Sequence, residues 1–254
     1  MEVEGRIAVV TGGAEETGRA IALRLADEGA LVVVADIAEQ SGRGAVADIE
    51  ARGGAAAFVR ADVTSDADLA GVFAFAREWR GVPTILVNNA GGGGHIEPHF
   101  PDATSEEWSK TLDLNLRGPM LATQLALEGM QAAGEGAVVN MASTGGLGYR
   151  PYQSPEYGAG KAGLIRFTVT LSSLRERMGI RVNCIVPDWI ATERAQAELA
   201  AMSADERAAM PTPVPMHAVA GEVVRLVRDD ELAGRVLVMV GGEDPRLLDD
   251  ARRD

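Results

Sequence analysis

The strongest constraint on the fold of this chain is an alternation. Short apolar runs recur at Ile7 to Val10, Leu31 to Ala35, Ala55 to Val59, Thr84 to Val87, Ala137 to Val139, Ile180 to Val186 and Val236 to Val240. Each is the length of a strand buried on both faces, and most end at Gly, Asp, Asn or Pro. Longer stretches with helical spacing lie between them. Leu69, Val72, Phe73 and Ala76 share one helix face, and so do Leu164, Phe167, Leu171, Leu174 and Met178, with Gly179 placed to end that helix. Strand and helix in alternation predict an α/β, Rossmann-like doubly wound sheet with helices on both faces. The length, 254 residues, suits a single domain over 1–254. One break interrupts the pattern: Ala191 to Met216 carries helix-like sequence and PTPVP without a strand signal, which reads as an inserted helical flap.

Charge and composition narrow the function classes. A formal charge of −13 repels phosphate backbones and anionic membrane surfaces, which argues against a nucleic-acid or membrane partner. No run approaches a membrane span, and the acidic start MEVEGRIAVV is unlike a signal peptide. A cytoplasmic protein is the expectation. The single cysteine, Cys184, lies in an apolar run and reads as a buried strand residue, not a nucleophile. No metal site is expected.

In open α/β sheets ligands bind beyond the carboxyl ends of the strands, and polar or Gly-rich residues follow those ends here: Thr11 to Gly13, Asp36, Asp62, Asn88 to Gly94, Ser143 and Pro187. The run TGGAEETGRA (11 to 20) separates the first strand from a helix. Its glycines and free helix amides suit a pyrophosphate, although an ordinary Gly-rich turn explains it equally well. Asp36 ends the second strand, where a carboxylate can bind a ribose diol or, alternatively, cap a helix. A ribose-binding carboxylate repels a 2′-phosphate, so the cofactor is expected to be NAD(H), with NADP(H) disfavoured.

YGAGK (157 to 161) is the least accidental feature. Tyr157 and Lys161, four residues apart, share a helix face. The chain holds only two lysines and three tyrosines, so chance gives such a pair about 2% of the time. A fixed cation stabilises a phenolate, letting Tyr157 exchange a proton with an alcohol. Ser143 can donate to the same oxygen, or be a plain strand-end serine.

On these residues the chain resembles the short-chain dehydrogenase/reductase family from Gly5 to Gly242. The resemblance implies a sheet of seven parallel strands and a nicotinamide cofactor held by Gly12, Gly18, Asp36, Asp62, Val63, Asn89 and Gly91 of the NNAG motif (88 to 91), Pro187, Ile190, Thr192, Tyr157 and Lys161. It implies a catalytic set of Asn115, Ser143, Tyr157 and Lys161, with Asn115 holding a relay water; Asn115 can also be read as a helix-kink residue. It further implies a homo-oligomer, tetramer or dimer, formed through Ser105 to Ala133 and Tyr157 to Met178, and a small alcohol or ketone as substrate. Two positions depart from the family pattern. Glu16 replaces a glycine of the phosphate turn, and Asp188 replaces the glycine after the clamp proline. A β-ketoacyl carrier-protein reductase using NADPH, or a catalytically impaired binding protein of the same fold, are the competing readings. The substrate pocket is expected to be lined by His95, Thr144 to Tyr152, Trp189 and the flap.

Overall fold

The computed structural model describes residues 1–94, 97–148 and 153–248. In chain order the elements are β1 (Ile7–Thr11), α1 (Glu16–Asp27), β2 (Leu31–Asp36), α2 (Glu39–Ala51), β3 (Ala55–Arg60), α3 (Asp66–Trp79), β4 (Ile85–Asn88) and α4 (Ser105–Leu112). A π turn (Asp113–Arg117) joins α4 to α5 (Gly118–Ala133). Then follow β5 (Gly136–Met141), α6 (Pro155–Thr170), α7 (Leu174–Met178), β6 (Ile180–Pro187), α8 (Glu193–Ala201), α9 (Ala204–Ala209), α10 (Met216–Arg228), β7 (Val236–Met239) and β8 (Arg246–Leu247).

The strands form one sheet in the order β3-β2-β1-β4-β5-β6-β7-β8. The first seven are parallel, and β8 pairs antiparallel with β7. The sheet therefore has eight strands where the resemblance implied seven; the extra one is a two-residue edge contact too short to carry a periodic signal. Successive strand residues point to opposite faces, so two cores flank the sheet. Ala8, Val10, Val32, Val34 and Val139 pack with Ile21 and Leu25 of α1 and Val223 and Val227 of α10. Val9, Val33, Leu86 and Val138 pack with Leu69, Val72 and Phe73 of α3 and Ala126 and Met130 of α5.

The apolar pattern from Leu164 to Met178 belongs to two helices, not one. Thr168 and Thr170 donate their hydroxyls to the carbonyls of Leu164 and Phe167, and Leu171, Ser172 and Leu174 each bond three residues back. Thr and Ser offer the backbone competing bonds, so α6 tightens and stops before α7, which ends on the left-handed Gly179 (φ 71°). The flap is helical as expected, in α8 and α9, but it is pinned by a parallel bridge between Ile190 and Val214 that its sequence did not announce.

Strand order reverses between β1 and β4. The residues following β1, β2, β4, β5 and β6 consequently face one crevice at the carboxyl edge.

Candidate active site

The crevice begins at the β1–α1 turn. Gly12 adopts φ 61°, and a Cβ on it would come 2.8 Å from Ala90 Cα. A Cβ on Gly18 would overlap the Gly12 carbonyl oxygen and stand 2.5 Å from Asn89 Nδ2. Both positions demand glycine because the turn, α1 and the β4 loop are in backbone contact. Asn89 is the strut: its Nδ2 donates to Thr11 O (3.2 Å) and Gly12 O (2.8 Å). The first amides of α1 have no partner within the helix and present a local positive pole.

Asp36, at the end of β2, accepts from Ala14 N and Ala38 N, one on each oxygen, both at 3.0 Å. It is not the cap of α2, whose N-cap position is Ala38. Each oxygen keeps a lone pair for a further donor. Asp62 accepts from Thr64 N and its hydroxyl, and Val63 beside it is buried. Gly12, Glu16, Asp36, Asp62, Val63 and Asn89 are among the walls of a cavity of about 380 Å³. The nearby arginines of α1 and α2 are already engaged, Arg19 with Asp48 and Arg43 with Glu39.

Glu16 opens α1 in a left-handed conformation, φ 42°, the only non-glycine in that region among the described residues. Its Oε1 accepts from Glu193 N at 2.8 Å, the first residue of α8. The carboxylate thus reaches across the crevice to the flap helix, whose N-terminal pole favours it.

The other half of the crevice follows β5. Ser143 is extended, and its Oγ accepts from Gly145 N at 3.2 Å. Ser154 caps α6 by accepting from Tyr157 N, which places Tyr157 in the first turn and Lys161 one turn on. Lys161 is 3% exposed. Its Nζ donates to Met141 O at 2.9 Å and lies 5.6 Å from the centre of the Tyr157 ring. Burial pushes the Lys161 ammonium down to about 8, since a desolvated charge is disfavoured. A Cβ on Gly91 would stand 2.8 Å from Lys161 Nζ and 3.0 Å from Asn115 Oδ1; the glycine leaves room for both.

Asn115 lies in the π turn and is fully buried. Its Nδ2 donates to Gly92 O (2.7 Å) and Thr111 O (2.9 Å), and its Oδ1 accepts from Gly92 N (3.1 Å). It braces the loop after β4 against the distorted helix, in keeping with the helix-kink alternative. Both N–H donors are used, so only an Oδ1 lone pair remains for a water.

Pro187 ends β6. The Asp188 Oδ1 accepts from the Thr144 hydroxyl at 2.8 Å, Ile190 forms the flap bridge, and Thr192 caps α8 by accepting from Ala195 N. Ser143, Tyr157, Lys161, Asp188, Trp189 and Arg194 border a second cavity, about 430 Å³. It shares Thr17, Asn89 and Gly91 with the first, so the two adjoin. Of the expected pocket residues, His95 and 149–152 lie outside the described residues. Cys184 is fully buried and its thiol is pushed up to about 12 by burial, which leaves it unreactive.

Beyond Asn88 of the NNAG motif, several participants have no sequence signature. Asn88 Nδ2 donates to Asn140 Oδ1 (2.8 Å), and Asn140 Nδ2 to Thr168 Oγ1 (2.9 Å). This buried chain ties β4 and β5 to α6. Glu156, immediately before Tyr157, is buried with His99 Nδ1 at 2.8 Å from its Oε1. Burial pushes the Glu156 carboxyl up, but donors from its own backbone, His99, Ser154 and Phe100 outweigh that and hold it below the usual range. Only burial separates these polar residues from exposed ones of the same type.

The two adjoining cavities could accommodate an extended dinucleotide, with Asp36 open to a diol, the first amides of α1 open to an anion and space beside Lys161 open to a ring. Among the described residues no three His, Cys, Asp or Glu side chains could hold a metal ion. No described helix is long and apolar enough to cross a membrane.

A family model for the short chain dehydrogenases matches residues 6–203. An uncharacterized oxidoreductase of Thermotoga maritima is 33% identical over 241 residues, 93% of this chain and 90% of the relative. Cis-4-hydroxycyclohexanecarboxylate dehydrogenase of Sinomonas cyclohexanicum is 35% identical over 231 residues, 90% of this chain and 86% of that protein. A solved structure assigned to the short-chain dehydrogenase/reductases, from Burkholderia xenovorans, superposes with a TM-score of 0.85 at 29% identity, covering 95% of this chain and 97% of the other.

Proposed function

Because this chain belongs to the short-chain dehydrogenase/reductase family, and so is an NAD(P)-dependent oxidoreductase acting on CH–OH groups, we propose that it oxidises a secondary alcohol, or reduces the ketone, with Tyr157 as the acid/base. The nicotinamide dinucleotide, when bound, supplies the acceptor or donor of the hydride. The protein's own residues manage the proton and the geometry.

Tyr157 takes the hydroxyl proton in the oxidative direction and returns it in the reductive one. The Lys161 ammonium, one helical turn away, stabilises the phenolate. Ser143 donates to the substrate oxygen and holds it near the phenol, and Asn115 fixes the loop that makes room for Lys161. The observation carrying this reading is the desolvated Lys161 Nζ beside the Tyr157 ring. A desolvated titratable group in a cleft marks a candidate functional site.

Gly12, Gly18, Asp62, Val63, Asn89 and Gly91 are assigned to the adenosine and pyrophosphate end, and Pro187, Ile190 and Thr192 to the nicotinamide end. Asp36 favours NAD(H): a second phosphate on the ribose would meet its carboxylate. A ring-bearing secondary alcohol is a reasonable first substrate probe, since a relative is a cis-4-hydroxycyclohexanecarboxylate dehydrogenase. We propose also that copies associate through the apolar groove of Leu112, Leu116, Met120, Leu121, Phe167 and Leu171, where Met120 is 41% exposed.

Fluorescence titration is expected to show NADH binding more tightly than NADPH, and cyclohexanol and related alcohols are to be assayed with NAD⁺. Tyr157→Phe should lose at least about a thousandfold in turnover while binding NADH normally. Undiminished turnover in that variant, or no NADH binding at millimolar concentration, would overturn the reading.

A further inference from the structure

The loop between β4 and α4 meets the first turn of α6 at two points. At its start, Gly94 is so close that a Cβ there would stand 3.0 Å from Tyr157 Cγ and 3.1 Å from Cδ1, so the loop backbone lies against the ring. Further along, His99 turns inward and is 8% exposed. Its Nδ1 is 2.8 Å from Glu156 Oε1. An ionised carboxylate only accepts, so Nδ1 carries the hydrogen.

Glu156 is equally buried and gathers three donors besides its own backbone. Its Oε1 also accepts the Ser154 hydroxyl at 2.8 Å, and its Oε2 accepts Phe100 N at 3.4 Å. Ser154 in turn accepts from Tyr157 N. His99, Glu156, Ser154 and the backbone of Tyr157 therefore form one buried chain of hydrogen bonds from the loop to the first turn of α6.

Burying this pair has a cost that packing alone does not explain. The His99 Nε2 is enclosed without a hydrogen-bond partner among the described residues, and a leucine would fill much of the same space with no orphaned polar atom. What the histidine provides, and leucine does not, is a directed N–H to the carboxylate.

We infer that His99 and Glu156 are positioning residues, clamping the loop after β4 onto the N-terminus of α6 so that the Tyr157 ring is held at one orientation toward the substrate. This rests on Tyr157 being the acid/base. The clamp itself is independent of that assignment, and so is part of its test.

Three variants separate donor from filler: His99→Leu removes the N–H, His99→Asn keeps one at the place of Nδ1, and Glu156→Gln keeps the shape of the acceptor while removing its charge. Hydrogen–deuterium exchange of peptides spanning 91–104 and the start of α6 is expected to quicken about tenfold or more in His99→Leu. In cyclohexanol oxidation kcat should fall about tenfold or more with a smaller change in KM, and the NADH dissociation constant should stay within about twofold. His99→Asn should recover to within about threefold of the wild type, and Glu156→Gln should fall between His99→Leu and the wild type. Unchanged loop exchange in His99→Leu overturns the clamp. Equal losses in His99→Leu and His99→Asn, following the melting temperature alone, reduce the pair to packing and overturn the positioning role. If His99→Leu does not fold, Glu156→Gln carries the same measurements, and wild-type exchange and turnover there would overturn the inference. Should the wild type leave cyclohexanol untouched, the fault lies with the substrate or the functional reading, and the exchange comparison still decides whether the loop is clamped.

Discussion

Lys161 carries its charge where the surroundings oppose it. Its ammonium, 3% exposed, is brought by burial from the ordinary 10.5 to about 8. Below pH 8 both the folded and unfolded chains hold the proton, and the folded one bears the full desolvation cost. Between about 8 and 10.5 the unfolded chain keeps a proton that the folded one has released, so stability rises with pH across that window. Urea unfolding of the cofactor-free protein should show the wild type gaining roughly 3 kcal/mol relative to Lys161→Met between pH 7 and pH 11. A difference independent of pH would mean that Lys161 is better solvated than its burial indicates. Among single residues, Tyr157 and Lys161 were legible because lysine is so scarce here that their spacing stands out. Glu156 was not: it is one of 37 acidic residues, and nothing in the string marks it as buried.

At the scale of elements, strands were readable because a buried parallel strand is a compact apolar run. Interruptions of helices were less so. The stop after Thr170 left a trace in Thr168, Thr170, Ser172 and Ser173, but the apolar spacing continues through it and suggested one helix. The π turn at Asp113–Arg117 is decided by what Asn115 bonds to in the β4 loop. The α1–α8 contact through Glu16 is likewise tertiary. A carboxylate in the phosphate turn would repel a pyrophosphate, yet its bond to Glu193 N draws it toward the flap, so the penalty is smaller than proximity alone suggests. Glu16→Gly would also relieve a left-handed conformation that glycine adopts freely. It should tighten NADH binding by about three- to tenfold and make the 191–216 segment more susceptible to limited proteolysis. Weaker NADH binding would show that Glu16 helps to hold the cofactor, through the flap, more than it repels it.

At the scale of the molecule, one sheet carries both cores, and its strand order places every proposed site residue near the carboxyl edge. The opposite surface question is association. Leucines and Phe167 line a groove on α4 to α6, whose burial against another copy would remove apolar area from water. Light scattering should give two or four times the 26.6 kDa chain mass, and Met120→Lys should shift it downward. A wild-type monomer at micromolar concentration would count against the groove as an interface. The sequence by itself determined the doubly wound architecture, the Tyr157–Lys161 pair and the acidic end of β2. Each depends on local spacing or on residue scarcity, and both are written along the chain. Only the tertiary structure decided that Glu16 meets the flap, that Asn140 links β5 to α6, and that His99 and Glu156 pair beneath the β4 loop. Those depend on which residues separated by 28 to 177 positions are brought together once the sheet has closed and water has been excluded.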